Sequence, residues 1–212
     1  MLRPTTDELW NTLTHALGFV LSVLGALFLV SEAIPRTDAW RVAGCSVYAA
    51  SLMSVYLCST LSHSASRPDQ KRLWRQLDQA FIYLLIVGTY TPFGLAYLRT
   101  GGWLLFLVSM WLLALLGFFS KLLWAHRVEA VAVWIYVILG WMPIVTAYPL
   151  MGRVPEGPLW WMLIGGVVYT AGTLFLMNDR KSASFHPLWH LCVIGGSACH
   201  FYAIYHAVVR FP

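Results

Sequence analysis

Long apolar stretches alternate with short polar ones along this chain. Runs from Leu13 to Ile34, Val42 to Leu61, Leu77 to Leu98, Trp103 to Trp124, Ala130 to Tyr148, Leu159 to Met177 and Pro187 to Val209 carry few charges. Each is about 20 residues long, the length an α-helix needs to cross the hydrocarbon core of a bilayer. Strands of a membrane β-barrel would alternate polar and apolar residues instead. The pattern predicts an all-α integral membrane protein: a bundle of seven transmembrane helices forming one domain over residues 1–212. Trp10, Trp40, Trp74, Trp103, Trp124, Trp160 and Trp161 fall at or near the ends of the runs, where amphipathic rings favour the headgroup layer.

Composition agrees. Hydrophobic residues make up 59% of the chain and charged residues 11%, against about 25% charged in a soluble domain. The first run has full span length and follows a polar stretch, Thr5 to Asn11, so it is expected to remain as a span rather than be cleaved as a signal. Cys45, Cys58, Cys192 and Cys199 lie inside apolar runs without a CxxC pair, and they read as small buried residues rather than as a disulfide framework or a thiolate zinc site. The formal charge of +5 comes without a basic cluster interleaved with aromatics, so no nucleic-acid partner is expected.

Charge changes the picture through its sidedness. Arg3, Arg67, Lys71, Arg72, Arg75, Lys121, Arg127, Arg180 and Lys181 fall on one side of the predicted membrane; Arg36, Arg41, Arg99, Arg153 and Arg210 fall on the other. The richer side is expected to be cytoplasmic. This puts the amino terminus inside and, with an odd number of spans, the carboxyl terminus outside.

Prolines and paired glycines punctuate the runs. Pro92 and Pro143 lie inside the third and fifth spans, where each kinks a helix or frees a backbone carbonyl. Gly165-Gly166 and Gly195-Gly196 read as positions of close helix approach.

Ionisable residues inside spans are costly and mark functional candidates. His186 and His190 are four apart at the start of the seventh span, separated by roughly 40° around a helix and about 6 Å along it, so both can face one point. His63 ends the second span and Asp78 begins the third. By span parity these four groups meet at the cytoplasmic face. Three imidazoles suit zinc and leave a fourth position for water, and a carboxylate beside that water can act as its base. Pro187 directly after His186 predicts that His186 caps its helix rather than sitting within it. His200 is about 15 Å further along the same helix than His190 and cannot reach the same ion; it is expected to face the interior. His15 is expected to bond across helices. His126 and His206 are not candidates.

Taken together, Glu8-x-x-Asn11-x-x-x-His15-x-x-Gly18, Ser59-x-x-x-His63, Asp78 followed by Gly88-x-Tyr90-x-Pro92, and His186-x-x-x-His190 with His200 beyond resemble the hemolysin III family. These bacterial proteins belong to the progestin and adipoQ receptor superfamily, which includes the adiponectin receptors and is distantly similar to the alkaline ceramidases. The resemblance covers nearly the whole chain. It implies Zn2+ near the cytoplasmic face, held by His63, His186 and His190, with Asp78 beside a zinc-activated water and Ser59 orienting that water or donating to an oxyanion. Glu8, Asn11, His15 and His200 are further polar candidates.

The expected function is zinc-dependent hydrolysis of an amide or ester in a membrane lipid, by a multi-pass protein of the bacterial plasma membrane. The alternative is a receptor-like or membrane-homeostasis protein in which zinc is structural. A lytic pore is disfavoured, because the polar groups gather at one end of the bundle instead of lining several helices throughout.

Overall fold

The computed structural model describes residues 6–124 and 129–211; Arg3, His126 and Arg127 lie outside this set. Helix α1 covers Thr6–Arg36, α2 Ala39–Ser64, α3 Pro68–Tyr97 and α4 Trp103–Trp124. Helix α5 covers Glu129–Trp141 and passes through a 3-10 turn, Met142–Thr146, into the short α6, Ala147–Leu150. Helix α7 covers Glu156–Met177, and α8 covers Phe185–Ile204 and continues as a π-helical turn, Tyr205–Arg210. Seven helical runs are long and apolar enough to cross a membrane, so the protein is an all-α, seven-helix, multi-pass membrane protein.

Local chemistry sets the boundaries. Asp38 caps α2 by accepting from the Arg41 backbone N–H at 2.9 Å, satisfying one of the free donors of the first turn. Pro68 opens α3, where its missing N–H costs nothing. Gly101 and Gly102, at φ 66° and 82°, turn the chain into α4 through a region closed to most side chains. Pro143 ends the regular α5 inside its span, hence the 3-10 turn. Pro92 leaves α3 unbroken and instead marks a close crossing, since a Cβ on Gly44 of α2 would lie 2.8 Å from the Pro92 Cα.

Three sequence expectations change. Helix α3 starts at Pro68 rather than Leu77, so Lys71, Arg72 and Arg75 ride on a helical extension instead of a loop. Lys121, counted with the cations of the cytoplasmic side, is buried inside α4 and donates to Gln79 Oε1 at 3.0 Å. Its long stem carries the ammonium to a polar partner on α3, which permits its burial. His186 stands within the first turn of α8, not at its cap, with Pro187 following in the same turn. The first turn has no intrahelical acceptors for its N–H groups, so the proline breaks no bond there.

Helices α2 and α3 form the centre of the bundle, flanked by α1 and α4, while α7 packs on α8 and α8 returns to α1. In the most apolar part of each span 56% of α2 and 61% of α3 is buried, against 17% of α4 and 11% of α7. The outer helices therefore present apolar side chains such as Leu27, Leu105, Leu116, Ile138 and Leu174 outwards, a surface suited to lipid. Helix α5 touches α3 and α7 only lightly, and a large cavity lies beside it.

Candidate metal centre

One end of the bundle gathers the chemistry. The last turn of α2 carries His63, the first two turns of α8 carry His186 and His190, and α1 brings Glu8, Asn11, Thr14 and His15 alongside. One nitrogen each from His63, His186 and His190 lies within 4.8 Å of the other two. The ring centroids are 5.1 Å apart for His63 and His186, 5.1 Å for His63 and His190, and 4.7 Å for His186 and His190.

Each imidazole is held from behind through Nδ1. His63 Nδ1 lies 2.7 Å from Glu8 Oε2, and Glu8 in turn accepts from Lys71 Nζ at 2.5 Å. His186 Nδ1 lies 3.5 Å from Asp179 Oδ2. His190 Nδ1 lies 3.0 Å from Thr14 Oγ1. The Glu8 carboxylate can only accept, which puts the proton on Nδ1 of His63. The Thr14 hydroxyl also lies 2.8 Å from the Trp10 carbonyl and 3.0 Å from the Asn11 carbonyl, acceptors for its hydrogen that leave its oxygen able to accept from His190. One nitrogen of each ring is left for a common point. That donor set fits a metal ion, and an acceptor behind each ligating imidazole is the usual support of such a site.

The other candidates divide. Ser59, one turn before His63, is buried with no geometrically sound hydrogen bond; its hydroxyl faces the Asp78 carboxylate, and both line the cavity that reaches the histidines. Asp78 is not among the three converging ligands. His15 does not bond across helices as expected. It stacks on His190 with centroids 3.5 Å apart, meets Tyr56 edge-on at 5.2 Å, and keeps both nitrogens buried with no hydrogen-bond partner among the described residues. Asn11 Oδ1, one turn earlier on α1, is likewise buried and unpartnered. His200 lies deeper along α8 and donates from Nε2 to the Met162 carbonyl at 3.1 Å.

Sequence reading missed Thr14 and Asp179, and it took Lys71 only as a topology marker. Thr14 stands directly before His15, and Asp179 directly before Arg180 and Lys181, in a short polar stretch between two apolar runs. The cavity they border has a volume of about 1530 Å³. Its lining runs from Glu8, Lys71 and Arg180 past the histidines to Tyr90, Thr146 and Trp160.

A family model described as "Haemolysin-III related" matches residues 4–201. The chain belongs to the hemolysin III family. This family member is 36% identical to "Hemolysin-3" of Bacillus cereus over 96% of its own length and 93% of the relative's. It is 32% identical to the "Hemolysin-3 homolog" of Bacillus subtilis (strain 168), over 97% and 96% respectively. The human "Monocyte to macrophage differentiation factor" is 27% identical over 99% of this chain and 88% of the relative. No solved structure matches the hemolysin III chain significantly.

Proposed function

We propose that this protein is a zinc-dependent hydrolase of an amide or ester bond in a membrane lipid. The reading rests on one observation above all: one nitrogen each from His63, His186 and His190 converges to within 4.8 Å of the other two, beside a large, mostly apolar cavity. Zinc held by His63, His186 and His190 supplies Lewis acidity and makes water a stronger acid at neutral pH.

The chain's own residues carry the remaining steps. Asp78 accepts a proton as water oxygen bonds to the carbonyl carbon, then returns it to the amine or alcohol as the C–N or C–O bond breaks. The Ser59 hydroxyl, which faces the Asp78 carboxylate, turns to donate to the carbonyl oxygen while that oxygen gains charge. His15 and Asn11 meet the polar head of the lipid, and the apolar lining takes its chain. The Lys and Arg bias keeps its direction without Lys121, which supports a cytoplasmic amino terminus and a site at the cytoplasmic face of a bacterial plasma membrane.

The test is metal content and lipid turnover on the same preparation. Purified wild type is expected to hold about one zinc per chain, and to release a product from a bacterial lipid extract that its Asp78→Asn variant does not. A zinc-loaded wild type that leaves every lipid unchanged would sink the hydrolase.

A second reading has its own support. His63 belongs to α2 while His186 and His190 belong to α8, so a metal would clamp these helices together in a receptor-like or membrane-homeostasis protein without turnover. Under that reading zinc removal lowers the melting temperature and no lipid product forms.

A further inference from the structure

Halfway down the cavity, α7 and α8 exchange side chains across two glycines. Tyr169 of α7 lies over Gly196 of α8, where an added Cβ would come within 2.5 Å of the tyrosine ring. His200 of α8 lies over Gly165 of α7, where an added Cβ would come within 2.3 Å of the imidazole. The two rings stand 5.4 Å apart at 31°, and both line the cavity. Each ring occupies a slot that any larger residue opposite would close.

Their hydrogen bonds leave one donor and one acceptor over. Ser197 Oγ accepts from Tyr56 at 3.0 Å and lies 2.6 Å from the Tyr169 hydroxyl. Two hydrogens, one on Ser197 and one on Tyr169, share that single contact, and no other acceptor for either exists among the described residues. Ser197 is buried and does not line the cavity, whereas Tyr169 does. Either hydroxyl can donate in that contact; with Ser197 donating, the Tyr169 hydrogen is left for the cavity that this residue lines. His200, nine-tenths buried, donates from Nε2 to the Met162 carbonyl. Its Nδ1 then carries a lone pair that no donor among the described residues meets.

Tyr169 and His200, with ring centroids 5.4 Å apart, thus offer a hydrogen-bond donor and an acceptor about 15 Å along α8 from His190, near the middle of a hydrocarbon core about 30 Å thick. Polar groups at that depth are costly to leave unpaired. A hydroxyl group meets both at once, accepting from Tyr169 and donating to His200. We propose that Tyr169 and His200 form a second binding station, which selects a lipid chain bearing a hydroxyl in its middle. The proposal rests on the reading of the cavity as a lipid site and adds the substituent that the lipid carries.

The test is equilibrium binding to the full-length chain in detergent, followed by tryptophan fluorescence, since Trp160 and Trp189 line the cavity. The probes are octadecanoate, octadecanoate hydroxylated on its middle carbons, and octadecanoate hydroxylated beside the carboxylate. Mid-chain hydroxylation is expected to tighten binding about tenfold, as two added hydrogen bonds in a water-poor site can, and hydroxylation beside the carboxylate to add nothing. Tyr169→Phe keeps the ring in its slot and is expected to abolish the gain without weakening octadecanoate; His200→Leu, where its melting curve shows it folded, should do the same. Equal binding of all three probes, as when a water merely fills the gap, overturns the station and leaves the lipid cavity standing. A mid-chain gain that survives in Tyr169→Phe also overturns it. Failure of every probe to bind overturns both readings.

Discussion

The Thr14 hydroxyl on α1 stands 3.0 Å from Nδ1 of His190 on α8, while two carbonyls of α1 lie within reach of its own hydrogen. A neutral side chain on one helix thereby holds the ring of a candidate ligand on another. Thr14→Val keeps the shape and removes the acceptor, so zinc affinity is expected to fall about 10- to 100-fold, the usual cost of losing such support. Thr14→Ser should keep most of it. Competition against a chelating dye reads both, and equal affinity of Val and Ser variants would mean that Thr14 only packs.

The three-histidine set predicts a sharp stoichiometry. His63→Ala and His190→Ala each leave two imidazoles and are expected to lose the roughly one zinc per chain carried by wild type. His206→Ala, far from the cluster along α8, is expected to keep it. Elemental analysis of protein purified without chelator decides; metal retained in both ligand variants would refute the site.

Asp78 and Ser59 predict a separation of metal from turnover. Asp78 is not one of the three converging ligands, so Asp78→Asn is expected to retain zinc while product release falls by a factor of about 100 or more, within the range that general acid–base groups contribute. Loss of zinc together with turnover would instead make Asp78 a ligand.

The crossing of α2 and α3 predicts a stability effect remote from the site. A Cβ on Gly88 would lie 2.3 Å from Ser51 Oγ, and overpacking of this kind costs about 1–3 kcal/mol. Gly88→Ala is expected to lower the melting temperature, and Ser51→Ala in the same chain to restore part of the loss. No rescue would mean that backbone contacts, not the serine hydroxyl, set the limit.

Much of this protein could be read directly. Seven apolar runs yielded seven spans because the bilayer demands length and hydropathy of each segment separately, and neither depends on the neighbours. Parity of the spans then carried His63, Asp78, His186 and His190 to one end, and the four-residue spacing set two imidazoles on one helix face. The errors sit where a local rule met tertiary context. Lys121 counted as a cytoplasmic-side charge until Gln79 received it inside the bundle, and His15 looked like an interhelical hydrogen-bonding residue until it stacked on His190 with neither nitrogen meeting a partner among the described residues.

By itself, then, the sequence determined the number and order of the helices, the end at which the chemistry gathers and the identity of the three converging histidines. Tertiary structure alone decided which groups stand behind those histidines, how Tyr169 and His200 share their glycine slots, and that α5 leaves a cavity beside it. The reason lies in the solvent. In water an amphipathic stripe announces the buried face of a helix, but a helix in lipid is apolar both where it meets the bilayer and where it meets its neighbours. Its rotation about its own axis is therefore hardly written in its hydropathy. Thr14, Asp179 and Tyr169 acquire their roles only when the helices are packed and each hydrogen has been assigned an acceptor.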